Sequence, residues 1–246
     1  MIGKLFDKKR GASIPEGKRI YAIGDVHGCA DLLERLLALI DADAAGAAYA
    51  LVFLGDYVDR GPDSRGVLSR LVELAASDQE NVFLKGNHEA AMCDFLLAPA
   101  ANEEWLHWGG DKTLDSYGVK DYWDREPEET AADFANALPE AHKRFLRGLA
   151  LTHTVGDYVF VHAGFKPGVA LEAQSESDML WIRSEFHNTQ TNKRPDKTVV
   201  HGHHPVPRPL DAGWRIDVDT GAVWSSMLTA LVLEGATRRF ISTGRG

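Results

Sequence analysis

Apolar and polar positions alternate in blocks along the first third of the chain. Three apolar runs with β-branched and aromatic members each end in a polar loop, and apolar residues at helical spacing follow each loop. Such runs are typical of buried strands, and such spacing is typical of amphipathic helices. The pattern therefore predicts three successive βα units and a largely parallel sheet. The expected strands cover residues 19–23, 49–54 and 81–85.

The three expected helices follow loops that contain acids, histidines and glycines. The first covers the leucine-rich stretch 32–40, and Asp31 and Glu34 are placed as a capping pair at its start. The second is marked by apolar residues within 67–74, and the third covers 90–97. We expect residues 86–89 to form the loop before the third helix.

The segment 99–150 changes to a helical and mixed pattern. Trp105 and Trp108 stand three residues apart, which predicts a core-facing helix stripe. Residues 109–113 begin with two glycines but lack the spacing of a phosphate-binding P-loop, so they are interpreted as a turn between helices. We expect the whole segment to be a helical cap beside a site.

Strand signals return in the last part of the chain. Two expected strands, 157–161 and 197–200, each run directly into a histidine. Residues 215–218 and 228–233 are expected to form a hairpin or meander around 219–221. A βα-repeating half followed by a β-rich half predicts an α/β protein in which two packed sheets have helices outside them.

Length, charge and cysteine content restrict the possible classes. The chain has 246 residues and 44% hydrophobic content, which suits one domain, expected over 19–246 after a basic tail at 1–18. The net charge of −9 disfavours binding to nucleic acid or to an anionic membrane surface. No apolar run approaches the ~20 residues that cross a bilayer. Cys29 and Cys93 form no disulfide framework and are expected to be small buried residues, so we expect a cytoplasmic protein.

Polar side chains follow five of the expected strands. Because parallel strands deliver their carboxyl ends to one edge of a sheet, these side chains are expected to converge there. Single residues of this kind are usually turn or structural residues, and His107, His142, His153 and His187 are interpreted in that way. Five such loops together favour a site. The candidate metal ligands are Asp25, His27, Asp56, Asn87, His162 and His203.

Oxygen and imidazole donors in this number suit two divalent ions about 3.5–4 Å apart. Asp56 is expected to bridge them, with Asp25 and His27 on one ion and the other three ligands on the second. His201 and His204 flank His203, and one of them could be the ligand instead. The absence of thiolate ligands leaves iron, zinc and magnesium open, with manganese expected first.

The motifs at these strand ends resemble those of the phosphoprotein phosphatase family of calcineurin-like metallophosphatases, and in particular its compact bacterial branch. The resemblance spans about residues 20–233, with His204 where many relatives have threonine. It implies a four-layer αββα sandwich of two mixed sheets flanked by helices, and it implies that Arg183 is a second phosphate-binding arginine beside Arg60. The motifs are Gly24-Asp25-Val26-His27-Gly28, Gly55-Asp56-Tyr57-Val58-Asp59-Arg60-Gly61, Gly86-Asn87-His88-Glu89, His162-Ala163-Gly164 and Gly202-His203.

A mechanistic hypothesis follows. Paired ions would lower the pKa of a bridging water, and Arg60 and Arg183 would bind the phosphoryl oxygens. His88 would protonate the leaving group, with Asp59 orienting it and favouring its protonated form.

The expected substrate is a phosphoprotein or a phosphorylated small molecule. The leading interpretation is a protein serine/threonine phosphatase, which residues 59–61 and 87–89 favour over the alternative, a diadenosine tetraphosphate hydrolase. A catalytically inactive scaffold is the third interpretation. It is disfavoured because every ligand position and His88 are intact.

Overall fold

A computed structural model describes residues 11–244 of the chain. Two five-stranded sheets, both mixed, form its centre. The first has the order β10-β9-β1-β2-β3, in which β1, β2 and β3 are parallel and β9 and β10 are antiparallel additions. Its strands are β1 (Arg19–Ile23), β2 (Ala50–Phe53), β3 (Val82–Phe83), β9 (Thr229–Glu234) and β10 (Thr237–Ser242).

The second sheet has the order β4-β5-β6-β8-β7. Its central strands β5, β6 and β8 are parallel, and β4 and β7 are antiparallel strands at its two edges. The strands are β4 (Thr152–Val155), β5 (Tyr158–Val161), β6 (Thr198–His201), β7 (Leu210–Asp211) and β8 (Arg215–Asp217).

Helices cover the outer face of each sheet. The helices α1 and α2 lie against the first sheet, and α7 and α8 lie against the second. Together with the two sheets they make the four-layer α/β sandwich that the sequence predicts. The helices are α1 (Ala30–Ala44), α2 (Ser64–Ala75), α3 (Asn87–Leu97), α4 (Asp111–Ser116), α5 (Pro127–Ala137), α6 (Glu140–Arg147), α7 (Glu176–Trp181), α8 (Ser184–His187) and α9 (Ala222–Ser225).

The two-residue period of the strands divides the core into layers. Tyr21 and Ile23 of β1 point to the helices, whereas Ile20 and Ala22 point to the second sheet. Strands buried on both faces explain why the sequence shows continuous apolar runs. The inter-sheet layer contains Ile20, Ala22, Val52, Leu54, Leu84, Tyr158, Phe160, Val200, Ile216, Val218, Leu231 and Leu233.

The predicted hairpin of residues 215–218 and 228–233 is wrong. β8 pairs with β6 of the second sheet, and β9 pairs with β1 of the first. The intervening residues, including α9, carry the chain from one sheet to the other. The hairpin partner of β9 is β10, reached through a tight turn at Gly235, which has φ +54°. Most residues of β4 and β10 are polar, which hides these strands from a search for apolar runs.

Two predicted helix starts are also wrong. Helix α1 begins after Cys29, so Asp31 and Glu34 lie inside it and form no cap. Helix α3 begins at Asn87, where a loop is expected, because the Glu89 carboxylate accepts the N–H of Gly86 and closes the first turn. Asn87 and His88 are therefore held by a helix rather than by a loop.

The segment 99–150 contains α4, α5 and α6, which pack on α2 and α3. Trp105 is buried, as expected, but Trp108 is 37% exposed and does not face the core. The predicted turn at 109–113 is a kink at Gly109, with φ +108°, and α4 already includes Lys112 and Thr113. Cys29 is buried as predicted, and Cys93 is half-buried.

Residues 11–18 lie against the sandwich. Ile14 is buried, its N–H donates to the carbonyl of Gly235, and the Ser13 N–H donates to the Asp157 carboxylate. The rest of the predicted tail lies outside the described residues, and the division into a tail and one domain stays a prediction, as does the cytoplasmic location. Between residues 11 and 244, no helix has the length and apolar character required to cross a membrane.

The layer between the sheets should dominate the stability of the fold. Ile216 is fully buried there, so Ile216→Ala is expected to lower the free energy of unfolding by about 2–5 kcal/mol through lost burial and a cavity. Urea unfolding followed by circular dichroism measures the effect. Leu39→Ala, at a site that is 41% exposed on α1, is the control and should change it by less than about 1 kcal/mol. Equal effects of the two substitutions would contradict this account of the core.

Candidate active site

The six candidate ligands converge, although they come from both sheets. Asp25 and His27 follow β1, Asp56 follows β2, and Asn87 opens α3 after β3. His162 and His203 follow β5 and β6 of the second sheet. All six residues are at most 7% exposed. The structure thus brings together every predicted ligand where the carboxyl ends of the parallel strands of both sheets meet.

Asp56 lies between two groups of donors. Its Oδ2 is 3.5 Å from His27 Nε2, and its Oδ1 is 3.5 Å from His162 Nε2. The carboxylate belongs both to a cluster with His27 and His88 and to a cluster with His162 and His203. This central position is the one that a bridging ligand requires.

Asn87 completes the second group. Its Oδ1 lies 2.9 Å from His162 Nε2 and 2.9 Å from His203 Nδ1. Oxygen and imidazole atoms directed at one another in this way suit a shared divalent ion.

Backbone carbonyls orient two of the histidines. Nδ1 of His27 is 2.8 Å from the Val58 carbonyl, and Nδ1 of His162 is 2.9 Å from the Leu54 carbonyl. A ring nitrogen that donates to a carbonyl carries the proton, so Nε2 keeps its lone pair and points towards Asp56. Burial lowers the pKa of His27 to about 3, which keeps this ring neutral at pH 7. Both rings are thus presented as metal ligands.

Asp25 is held at the centre by the backbone of the second sheet. The N–H of His203 donates to both of its carboxylate oxygens, at 3.1 and 3.3 Å. A Cβ on Gly202 would come within 2.1 Å of Asp25 Oδ1, so only glycine permits this approach. The carboxylate and the loop after β6 therefore fit closely across the two sheets.

The backbone is strained where the site is built. Eight residues other than glycine have positive φ among residues 11–244, and five of them belong to the candidate site. Such conformations cost of order 1 kcal/mol or more and persist only where the surrounding contacts enforce them. The five site residues are His27, Asp56, Asp59, Arg60 and His203, with φ between 45° and 73°.

Glu89 is a residue of the site region to which the sequence analysis assigned no role. Its buried carboxylate accepts N–H groups of Asp56 at 2.9 Å, Tyr57 at 2.7 Å, Val58 at 3.2 Å and Gly86 at 2.9 Å. One side chain thus fixes the loop after β2 against the start of α3. Its place in the Gly86-Asn87-His88-Glu89 motif was the available signal.

The site carries more buried negative charge than its own cations offset. Burial raises the pKa of Asp25 well above its usual range, and Asp219 and Asp56 add to the shift. Burial also raises the pKa of Asp219 to about 6. Burial acts in the same direction on Asp56, but the surrounding imidazoles outweigh it and hold the pKa of this carboxyl far below its usual value. Carboxylates in this environment favour a bound cation.

Two arginines donate hydrogen bonds to three histidines of the candidate site. Arg60 donates to His27 Nε2 at 2.7 Å and to His88 Nε2 at 2.8 Å, and Arg183 Nε donates to His203 Nε2 at 3.2 Å. The Nε2 lone pair of His27 is therefore available to a cation, whereas the nitrogen of His203 that faces Asn87 is Nδ1. The donor set fits a pair of divalent ions. Nε2 of His27 can bind an ion only when Arg60 releases it.

His88 and Asp59 form a buried pair beside the ligands. His88 Nδ1 is 2.6 Å from Asp59 Oδ2, which also accepts the Trp105 Nε1–H at 2.8 Å, while Thr113 donates to Asp59 Oδ1 at 2.6 Å. Burial lowers the pKa of His88, but Asp56 and Asp59 outweigh it and raise that pKa above its usual value. The pair keeps Nδ1 protonated and directs Nε2 to the site.

Three exposed tryptophans lie near the two arginines. The Trp224 ring is 5.3 Å from the Arg60 guanidinium and 64% exposed. The Trp181 ring is 6.5 Å from that of His203, and the Trp108 ring is 5.6 Å from that of Trp181. Trp181 and Trp108 are 38% and 37% exposed. These three residues, the tryptophan rim, were not expected from the sequence, which predicts Trp108 in the core.

Of the three neighbouring histidines after β6, only His203 lies among the ligand cluster. His201 is fully buried with its Nδ1 3.0 Å from the Gly202 carbonyl, and the His204 ring lies 4.7 Å from that of His187. His201 and His204 therefore do not reach the cluster around Asp56.

Glu89 should govern metal binding without contacting a metal. Glu89→Gln replaces one carboxylate oxygen with an NH₂ group, so two of the four backbone N–H groups lose their acceptor. We expect about 10–100-fold weaker manganese binding, as for other residues that orient ligands. Calorimetric titration with manganese measures the affinity. Glu104→Gln, at an exposed position, is the matched control and should bind as the unmodified chain does. Unchanged affinity in Glu89→Gln would show that the loop does not need this carboxylate.

Comparison with known proteins agrees with this geometry. The chain is 30% identical over 215 residues to serine/threonine-protein phosphatase 1 of Salmonella typhimurium, covering 86% of this chain and 90% of that protein. It is 27% identical over 239 residues to the asymmetrical bis(5'-nucleosyl)-tetraphosphatase PrpE of Oceanobacillus iheyensis, covering 86% and 87%.

A solved structure of a cold-active protein tyrosine phosphatase has the same fold. It superposes with a TM-score of 0.63 at 20% identity and covers 97% of this chain and 83% of that one. The sequence profile of the calcineurin-like phosphoesterases matches residues 18–225. With this match over most of its length, the chain belongs to the calcineurin-like phosphoesterase family.

Proposed function

We propose that this metallophosphoesterase is a protein serine/threonine phosphatase. The observation that carries the proposal is the buried pair of His88 and Asp59, 2.6 Å apart, at the edge of the ligand cluster. Serine and threonine alkoxides are poor leaving groups, so their release requires an acid. A polyphosphate leaving group is far less basic and needs such an acid less. The relative named serine/threonine-protein phosphatase 1 supports the same choice.

The proposed metal ligands are the six that converge in the structure. Asp25, His27 and Asp56 would hold one ion, and Asn87, His162 and His203, together with Asp56, would hold the other. When bound, two divalent ions, with manganese expected first, would activate water for attack on phosphorus and offset the charge of the phosphoryl group. The inactive-scaffold interpretation is disfavoured because all six ligands and His88 are present and close together.

Arg60 and Arg183 are proposed to bind the phosphoryl oxygens. Both guanidinium groups border the ligand cluster, and each can form charge-assisted hydrogen bonds with phosphate. Arg60 donates to His27 and His88 in the structure, so its move to a phosphoryl group would release both imidazoles at once. Substrate binding would thereby free His88 Nε2 to take up from solvent the proton that it then donates.

His88 is proposed as the general acid. It would donate a proton from Nε2 to the leaving oxygen while its Nδ1–H remains bonded to Asp59. Asp59 is itself held by Trp105 and Thr113, so the imidazole keeps one orientation through the reaction. This is the role of a carboxylate that orients a catalytic histidine.

The acid role makes the effect of His88→Asn depend on the leaving group. On a phosphothreonine peptide, kcat should fall by about 10²–10⁴-fold. On 4-nitrophenyl phosphate, whose leaving group needs no acid, the loss should be much smaller. Steady-state kinetics on both substrates, with the metal content of each variant, measures the difference.

His153→Asn is the matched control, because His153 is half-buried on the edge strand β4. It should keep both rates. Equal losses on both substrates for His88→Asn would assign His88 to metal or phosphate binding, and full activity on the peptide would remove it from the mechanism.

A second candidate is hydrolysis of dinucleoside polyphosphates. The tryptophan rim favours it, because exposed aromatic rings beside a phosphate site can stack nucleobases. The relative named bis(5'-nucleosyl)-tetraphosphatase supports it as well. Under this candidate, the bases would stack on the rim while the arginines bind phosphate.

Trp224→Ala separates the two candidates. Loss of one stacking ring, worth about 1–3 kcal/mol, should raise KM for diadenosine tetraphosphate by about 5–150-fold if the nucleotide is the substrate. Kinetics on this compound and on a phosphothreonine peptide are compared. Trp123→Ala is the control, since Trp123 is 51% exposed but stacks on His107 and Tyr122, outside the rim. No turnover of diadenosine tetraphosphate would exclude the second candidate.

A further inference from the structure

A second group of metal-type side chains lies outside the active site. It comprises His187 at the end of α8, His201 at the end of β6 and Asp217 at the end of β8. His201 and Asp217 are paired across the neighbouring strands β6 and β8. One ligand atom from each of the three residues lies within 4.8 Å of the other two. None of the three belongs to the six candidate ligands around Asp56.

Two buried side-chain atoms of this group have no hydrogen-bond partner within residues 11–244. They are Asp217 Oδ2 and His187 Nε2, and both atoms are buried. The Asp217 side chain is only 1% exposed. A buried polar atom without a partner costs about 1–3 kcal/mol, so such atoms are rare unless a ligand satisfies them.

The third atom, His201 Nε2, also presents a lone pair. His201 Nδ1 is 3.0 Å from the Gly202 carbonyl and therefore carries the ring proton. This arrangement, in which one nitrogen donates to a carbonyl and the other faces inward, is typical of metal-binding histidines.

Arg215 is the competing cation at this group. Its Nη1 donates to His201 Nε2 at 3.2 Å but lies 3.9 Å from Asp217 Oδ2, which is beyond a hydrogen bond. Burial and the nearby Asp219 raise the pKa of Asp217 to about 8, and the guanidinium opposes this rise only weakly. Arg215 also lies near the ring of Trp214, at 5.9 Å. It donates to His201 Nε2, while Asp217 Oδ2 and His187 Nε2 have no hydrogen-bond partner in the described part of the chain.

We propose that His187, His201 and Asp217 bind a third divalent ion, separate from the pair around Asp56. Two imidazoles and one carboxylate suit zinc or a similar transition ion. The exposed His204, whose ring is 4.7 Å from that of His187, is placed to supply a fourth ligand. Binding requires Arg215 to turn away from His201, towards the partly open side where its side chain is 11% exposed.

The ion would join elements that carry active-site residues. Helix α8 starts directly after Arg183, which contacts His203, and ends at His187. His201 precedes His203 by two residues on the same chain segment. A bound ion would therefore fix the distance between the second arginine and the last ligand of the candidate two-ion centre without contacting substrate. This is a structural, positioning role.

The count of bound zinc tests the site. The chain is stripped with a chelator, reloaded with zinc, desalted and analysed by mass spectrometry of the metal. His187→Ala should hold about one ion per chain fewer than the unmodified protein. His107→Ala, at an exposed position beside Trp123, is the matched control and should lose none. Equal zinc content in His187→Ala and the unmodified chain would overturn the proposal.

A second comparison isolates the site from the catalytic centre and does not depend on the proposed substrate. Asp56→Asn impairs the candidate two-ion centre, so zinc that this variant still binds should be held at the proposed third site. Adding His187→Gln to Asp56→Asn should remove that zinc. Arg215→Met removes the competing cation and should tighten zinc binding. If Arg215→Met binds no more tightly and Asp56→Asn alone holds no zinc, Arg215 is the cation that serves this group and no third ion binds.

Discussion

The structure depends on a buried carboxylate that side chains from both sheets surround. Burying an ionised carboxyl costs several kcal/mol unless charges and hydrogen bonds surround it. Asp56 accepts the His88 N–H at 3.0 Å, and its two oxygens face the neutral rings of His27 and His162, one from each sheet, so most of its charge is left for bound cations to offset. The strained backbone and the four bonds to Glu89 are the means by which the chain holds this carboxylate in place. The packing of the two sheets therefore also sets the geometry of the candidate site.

The sequence predicts the strands that are buried on both faces and the helices whose buried residues recur at helical spacing. Buried strands such as β1 and β5 show as apolar runs, and α1 and α2 show as leucine periodicity. The edge strands β4 and β10 are not predicted because most of their residues are polar, so neither strand shows as an apolar run. The pairing of β8 with β6 is not predicted, because strands paired across an intervening connection leave no local signal in the sequence. The start of α3 is not predicted, because the Glu89 side chain determines it through hydrogen bonds to backbone N–H groups. Helix propensities do not include such bonds.

The sequence also predicts the candidate site only in part. Polar residues at strand ends lead to all six candidate ligands, because topology alone brings those ends together. The tryptophan rim is not predictable, since Trp108 shares the helical spacing of a core residue and its exposure depends on how the helices pack. Nor does any pattern assign His187 to His201 and Asp217, because α8 reaches β6 and β8 only in three dimensions. Contacts between distant elements, rather than residue types, carry this information.

The division of the candidate ligands between the sheets has a consequence for the newborn polypeptide. Asp25, His27, Asp56 and Asn87 leave the ribosome early, whereas His203 emerges more than a hundred residues later. Until β6 has been synthesised and docked, the acidic centre lacks His203 and its set of candidate ligands is incomplete. Hydrolytic competence therefore arrives late in translation, and any fragment that stops short of β6 would bear the early motifs intact yet remain inert.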